Sequence, residues 1–339
     1  MKYSDLTYYL LTILCAVITS CTTDGVMDDF PDNGALVTDA HISFVINFPT
    51  NSSTRSGETV DDGLEKERYI DDVHVYTFQD DKFVEEIQYL MIDGANGDAS
   101  RTIDGKLLGT YNGGKSMEFV VIANAVKVGV GSIEMTAGMT KAKLYEQLVF
   151  TYDKNRDWSE YIPMWGLGTI PQIKTGEYNL GELSLKRAVA KVNVTVNGGA
   201  GLMNFEITEI QLHGYNTRGY CAPTQSESPS IPSDSEIASD YLTSGLLSEG
   251  QGNKFENKFY IPEHKNVGAE DNRRVYLTIH AKVWGTEKDY TVQFSTNEQP
   301  YDVLRNHLYV FNITSVDAVT VYYEVAKWEE INVNVPSFD

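Results

Sequence analysis

The stretch His41-Ile-Ser-Phe-Val-Ile-Asn-Phe48 decides the fold class. Its residues Ile42, Phe44, Ile46 and Phe48 stand two apart, with His41, Ser43, Val45 and Asn47 in the alternate places. Successive side chains of a β-strand point to opposite faces, so this spacing sets a wholly apolar face against a more polar one, as a half-buried strand requires. Strand-like segments recur along the chain, at 70–78, 82–89, 117–123, 176–185 and 188–196, then at 205–214, 258–261, 274–284, 288–295, 307–316 and 319–325. Turn signals such as Asp80-Asp81, Asn96-Gly97, Asn112-Gly113-Gly114 and Asn197-Gly198-Gly199 separate many of them. In the first half only 141–150 reads as a helix. Many short strands with little helix predict an all-β protein of β-sandwich architecture. At 339 residues the chain exceeds what one core usually covers, about 250 residues, so two sandwiches are expected, with a boundary near Glu182 to Arg187.

Around the first strand the sequence changes character. After Phe48 come Pro49-Thr-Asn-Ser-Ser-Thr-Arg55-Ser56-Gly57 and a charged run to Arg68, with no core-forming residues, which reads as an exposed loop. The Ser-rich, Pro-containing stretch from Pro223 to Gly252 reads as a second surface loop. Before the first strand, the acidic, turn-rich residues that follow Cys21 read as a tether. The segment from Leu6 to Ile18 is apolar but too short to span a bilayer, which needs roughly 18 to 20 apolar residues, and suits a signal peptide. The tetrad Ile18-Thr19-Ser20-Cys21 resembles the bacterial lipobox, in which the cysteine thiol receives diacylglycerol. Residues 1–20 are therefore expected to be a lipoprotein signal peptide and Cys21 the lipidation site, with the acyl chains anchoring the chain to the outer membrane.

Charge and composition narrow the functional classes. Lys and Arg number 27 against 48 Asp and Glu, a formal charge of -21 that repels phosphate backbones, so nucleic acid is not an expected partner. Cys15 and Cys21 lie in the N-terminal segment, which leaves Cys221 alone in the body, and it reads as a packed, inert thiol. The six histidines show no zinc-site spacing. Asp153-Lys-Asn155-Arg-Asp157 matches the start of a calcium loop, but Trp158 stands where glycine is needed and Met164 where the bidentate glutamate belongs. Gly166-Leu-Gly168 opens no apolar helix and so makes no phosphate cradle, and the strained G-x-S-x-G turn of serine hydrolases does not occur. No catalytic residue, cofactor or metal site is assigned, and an enzyme is not expected.

Several stretches together resemble the fimbrillin family, the FimA-type major subunits of the type V pili of Bacteroidales. They are the lipobox at Cys21, the first strand followed by Ser-Ser-Thr-Arg55, Ile70-Asp-Asp-Val-His-Val-Tyr-Thr-Phe78, and Phe119-Val-Val-Ile-Ala-Asn124. Further on come Leu185-Lys-Arg-Ala-Val-Ala-Lys191, Leu304-Arg-Asn-His-Leu-Tyr309 and Val325-Ala-Lys-Trp328. The resemblance implies two transthyretin-like β-sandwich domains in tandem: 56–185, completed in the precursor by strand 41–48, and 186–339. It also implies that a trypsin-like surface protease removes residues 21–55, cutting between Arg55 and Ser56, with Arg68 the alternative. Withdrawing Ile42, Phe44, Ile46 and Phe48 would open an apolar groove for a strand from another copy or a related pilus subunit. The segment near 330–336 alternates suitably, with Ile331, Val333 and Val335 on one face, and is the donor candidate. The expected function is that of a fimbrial stalk subunit at the cell surface. A pilus anchor or tip subunit is an alternative, as is a monomeric surface glycan-binding lipoprotein that uses Trp158, Trp165 and nearby tyrosines as a stacking platform.

Overall fold

The computed structural model describes residues 39–48, 63–111, 113–196, 202, 204–224, 228–247, 254–296 and 298–316, and the backbone of 321–327. The first half forms strands β1 (Ala40–Asn47), β2 (Val73–Gln79), β3 (Lys82–Glu86), β4 (Gln88–Asp93), β5 (Ser100–Leu107), β6 (Met117–Ala123), β7 (Val149–Thr151), β8 (Met164–Ile170), β9 (Gly176–Ser184) and β10 (Lys186–Arg187). Helix α1 (Lys141–Gln147) lies between β6 and β7. The second half forms β11 (Val189–Val196), β12 (Phe205–His213), β13 (Arg218–Tyr220), β14 (Tyr241–Thr243), β15 (Lys254–Pro262), β16 (Tyr276–Val283), β17 (Thr286–Gln293), β18 (Ser295–Thr296), β19 (Gln299–Pro300), β20 (Leu308–Val316) and β21 (Val321–Lys327). The expected all-β class holds.

Four sheets carry the architecture, in the orders β4-β5-β1-β9, β10-β8-β6-β2-β3, β15-β11-β20-β21 and β14-β12-β16-β17. The first two face each other, because Ile42, Phe44 and Ile46 of β1 share one apolar cluster with Val75, Phe119 and Val121 of the second sheet. In the same way Val192, Val194 and Phe311 of the third sheet share a cluster with Ile210, Leu277 and Ile279 of the fourth. Strand β6 is buried on both faces: its odd-numbered residues meet the first sheet, while Val120 and Ile122 join the other cluster with Leu144 of α1. That is why it reads as an unbroken apolar run rather than an alternation. The chain crosses from the second sheet to the third at Ala188, since Lys186 and Arg187 pair with Trp165 and Met164 while Val189 already pairs with Pro262.

Several elements differ from the sequence reading. The segment expected as one strand over 82–89 is broken at Ile87 into β3 and β4, which belong to different sheets. Helix α1 stops at Gln147, and the β-branched residues that follow pair as β7 with β13 instead. Strands β5 and β8 have no counterpart in the expectations, although β5 is the antiparallel neighbour of β1. The inward face of β5 is Arg101, Ile103, Gly105 and Leu107, only half of it apolar, so the period is faint. Gly105 is glycine for a packing reason: a Cβ there would lie 2.4 Å from Cγ2 of the buried Ile87. The stretch from Pro223 to Gly252 is not merely a surface loop. Ser230 within it is 1 % exposed, and β14 pairs with β12.

Asn124 ends β6 in the left-handed region (φ 61°), fully buried. Its Oδ1 accepts from Asp71 N at 2.8 Å, and its Nδ2 donates to the carbonyls of Tyr69 and Ile162, both at 2.8 Å. An amide at this place bonds three loop backbones that have no ladder partner for those groups, and asparagine tolerates the positive φ better than most residues. Asn124→Ala is expected to lower stability by roughly 2–4 kcal/mol through the buried groups left unpaired, read as a lower urea midpoint with an unchanged slope.

Candidate functional site

The site is the cradle of β1. This strand runs through the middle of its sheet, antiparallel to β5 from Ala40↔Leu107 to Asn47↔Ser100 and parallel to β9 from Ala40↔Gly176 to Asn47↔Ser184. A β-bulge or irregularity in β9 falls opposite the stretch between Ser43 and Val45. Ile42, Phe44, Ile46 and Phe48 are all at most 3 % exposed, whereas His41, Ser43, Val45 and Asn47 are half-buried. The structure thus brings together all four residues of the expected apolar face. The far end is pinned by Phe48 N donating to Ala99 O at 3.1 Å, Leu185 N donating to Asn47 O at 2.9 Å, and Asn47 Nδ2 donating to Glu182 Oε2 at 2.8 Å.

Without β1, the backbone groups that β5 and β9 turn toward it would face a groove lined by Val75, Phe119 and Val121. Burial of four such side chains is worth about 6–12 kcal/mol before chain entropy is counted, at roughly 1.5–3 kcal/mol each. Unpaired ladder groups in an apolar setting add to that cost.

From Gly63 on, the chain is fastened at once. Glu67, in the 3-10 turn Glu65–Arg68, is 1 % exposed, and its Oε1 accepts from Lys191 Nζ at 2.7 Å and from Tyr260 Oη at 2.6 Å. Arg187 lies beside the same carboxylate, 4.0 Å from Oε2, and its Nε donates to the Glu67 carbonyl at 3.4 Å. Burial pushes the Arg187 guanidinium below its ordinary pKa against the pull of Glu67, and burial with the Glu67 charge raises the Tyr260 hydroxyl far above its own. Lys66 of the turn holds Asp157 at 2.7 Å. Burial works to raise that carboxyl, but hydrogen bonds from Lys66 and Ser159 outweigh it and bring it down to about 2. Asp157 of the calcium-like stretch is thus occupied by a lysine. Arg68 is engaged too, its Nε donating to Gly97 O at 2.7 Å.

Two further family-like stretches, 185–191 and 304–309, meet near this joint. In Leu304-Arg-Asn-His-Leu-Tyr309, Arg305 gives Nε and one terminal nitrogen to Glu263 Oε2 at 2.9 and 2.6 Å and its other terminal nitrogen to Cys221 O at 3.1 Å. Asn306, at φ 56°, accepts from Arg187 N at 3.1 Å and donates its own N–H to Val189 O at 2.9 Å. Tyr309 Oη closes the turn by donating to Asp302 O and accepting from Leu304 N. The segment is a brace between β10, β11 and β20. Cys221 is fully buried, and burial pushes its thiol up to about 12, which leaves it protonated and inert. Trp158 is buried and stacked on Tyr152 at 4.8 Å, so it offers no open stacking face, while the half-buried Trp165 donates to Tyr145 Oη at 3.3 Å.

Cys21, Arg55, Ser56, Ile331, Val333 and Val335 lie outside the described residues. Sequence reasoning missed Glu67, Tyr260 and Glu263, whose partners are 42 to 193 positions away.

Comparison with known proteins agrees with the geometry. The model of the family described as fimbrillin-A associated anchor proteins Mfa1 and Mfa2 matches residues 38–334, beginning just before β1. No curated protein sequence matches the chain. Among solved structures, the tip fimbrial protein Mfa3 of Porphyromonas gingivalis with a C-terminal truncation is similar, at 15% identity and a TM-score of 0.54 over 86% of this chain and 100% of that one. A putative cell adhesion protein of Bacteroides eggerthii gives 14% and 0.51 over 88% and 98%. The fimbrilin FimA of Porphyromonas gingivalis W83 gives 16% and 0.50 over 86% and 96%. These identities speak for a shared fold, and the family match covers most of the sequence. The chain belongs to the family of fimbrillin-A associated anchor proteins Mfa1 and Mfa2.

Proposed function

We propose that this fimbrial protein is a stalk subunit that assembles by strand exchange at the β1 cradle. The observation that carries the reading is the burial of Ile42, Phe44, Ile46 and Phe48 in the middle of a sheet, on a strand joined to the next described residue, Gly63, only through the segment that contains Arg55. Export occurs as a lipoprotein acylated at Cys21, and the two sandwiches 56–185 and 186–339 form the mature body. A trypsin-like surface protease cuts between Arg55 and Ser56. Arg68 is the poorer site, because its 3-10 turn is buried at Glu67 and its guanidinium is held by Gly97, whereas a protease needs an extended segment it can thread.

After the cut, β1 has no covalent link to the body, while Glu67 keeps the new N-terminal part fastened to Lys191 and Tyr260. The vacated cradle takes the segment near 330–336 of another copy or of a related subunit, with Ile331, Val333 and Val335 in place of the lost side chains. Strand β21 is the outer strand of its sheet, so residues after Lys327 can leave without unzipping an interior ladder. Giving at one end and accepting at the other is a head-to-tail contact, which builds a filament. The name of the matched family supplies a second reading, a pilus anchor that retains both its lipid and β1.

Limited trypsin treatment of the chain from residue 21, with Cys21→Ser, separates these readings. A stalk subunit yields a new N-terminus at Ser56 and ladders that resist SDS; an uncut monomer, or a cut one that keeps β1 and does not grow, supports the anchor. Truncation after Lys327 is expected to leave a subunit that accepts a neighbour but cannot donate, so mixing it with cut wild type shortens the ladders in proportion to its share. Glu67→Gln, which removes the carboxylate charge that faces the buried Lys191 ammonium, is expected to cost about 3–5 kcal/mol in urea unfolding.

A further inference from the structure

The outer face of the fourth sheet carries a feature that strand exchange does not use. Strands β16 and β17 are joined by the two-residue turn Trp284-Gly285, with both φ angles positive (53° and 76°) and Val283 paired with Thr286. Such a turn favours asparagine, aspartate or glycine at its first position, and a bulky side chain there is an outlier. The indole is also 80 % exposed. A large aromatic held at a disfavoured backbone angle, with its ring in water, serves neither the turn nor the core. The turn is fixed by Trp284 N donating to Asn204 O at 2.9 Å, so the ring is presented from a defined place.

Trp284 borders a recess of about 660 Å³ that also includes Asn204, Phe205, Glu206, Thr208, Leu247 and Lys282. Glu206 and Lys282 are cross-strand partners, so their opposite charges balance locally in a chain whose overall charge is -21. This mix of one exposed ring and the half-buried Leu247 with amide, hydroxyl, carboxylate and ammonium groups lacks the contiguous apolar area of a protein-docking patch. It matches a pyranose, whose C–H face can lie on the indole while its hydroxyls both donate and accept. The recess has the volume of a small-ligand site, and the chain's negative field disfavours anionic sugars.

We propose that the Trp284 recess binds a neutral hexose or N-acetylhexosamine unit of a surface glycan. The inference does not depend on the strand-exchange reading. The full chain, purified in detergent, is applied to a printed array of neutral, sialylated and sulfated oligosaccharides, and the strongest neutral binder is then titrated by calorimetry. Because the side chain is exposed, Trp284→Ala should fold with an unchanged circular dichroism spectrum. It is expected to bind at least about tenfold more weakly, with Trp284→Tyr retaining part of the affinity. Absence of neutral glycan binding by the wild type, equal binding by Trp284→Ala, or a Trp284→Ala effect confined to polymer growth would each overturn the proposal, the last by assigning the surface to a contact between subunits.

Discussion

The hydrogen-bond ladders that β1 makes with β5 on one side and β9 on the other are the constraint on which the first pair of sheets depends. An inner strand satisfies the backbone groups of two neighbours at once, and here it also supplies four apolar side chains to the core. Closing β5 onto β9 would leave the apolar side chains of β1 unreplaced, so no rearrangement of those two strands alone recovers both contributions. The cradle therefore demands an occupant, but the demand is for a pattern rather than for one covalent strand. In the proposed exchange, an extended segment with apolar residues two apart meets it.

Exchange of that kind is workable only if the rest of the molecule holds its shape. Two buried ion pairs do this, Glu67 with Lys191 between the halves and Glu263 with Arg305 within the second, each supported by further hydrogen bonds. Buried pairs are poor sources of net stability, because desolvation offsets most of the attraction, but breaking one leaves a stranded charge. Their value here is in register. Glu67 fixes the chain at the 3-10 turn ahead of β2, and Asn306 fixes how β10 passes into β11.

The fold class and the apolar face of β1 were legible because strict alternation has one physical meaning. Strand β5 was not, because its inward face includes Arg101 and a glycine that exists to admit Ile87. Strand β8 was hidden in the same way: a Cβ on Gly166 would meet Leu183 Cδ2 at 2.2 Å, so the residue that permits the packing also erases the pattern. The buried ion pairs could not be found from spacing, since their members come together only after the sheets form. The Ser-rich stretch beyond Pro223 misled because composition speaks for solvent exposure, while Ser230 N donates to the buried Glu263 carboxylate at 3.0 Å.

Hydrogen exchange tests the replaceable strand most directly. Amide protection over 100–107 and 176–184 is measured in the intact chain, after cleavage and removal of β1, and again after addition of a synthetic peptide of residues 328–339. Loss of protection in both strands on removal of β1, and its return with the peptide, is the result expected of a cradle that accepts a substitute strand. Protection that survives the removal, or that the peptide fails to restore, would contradict it.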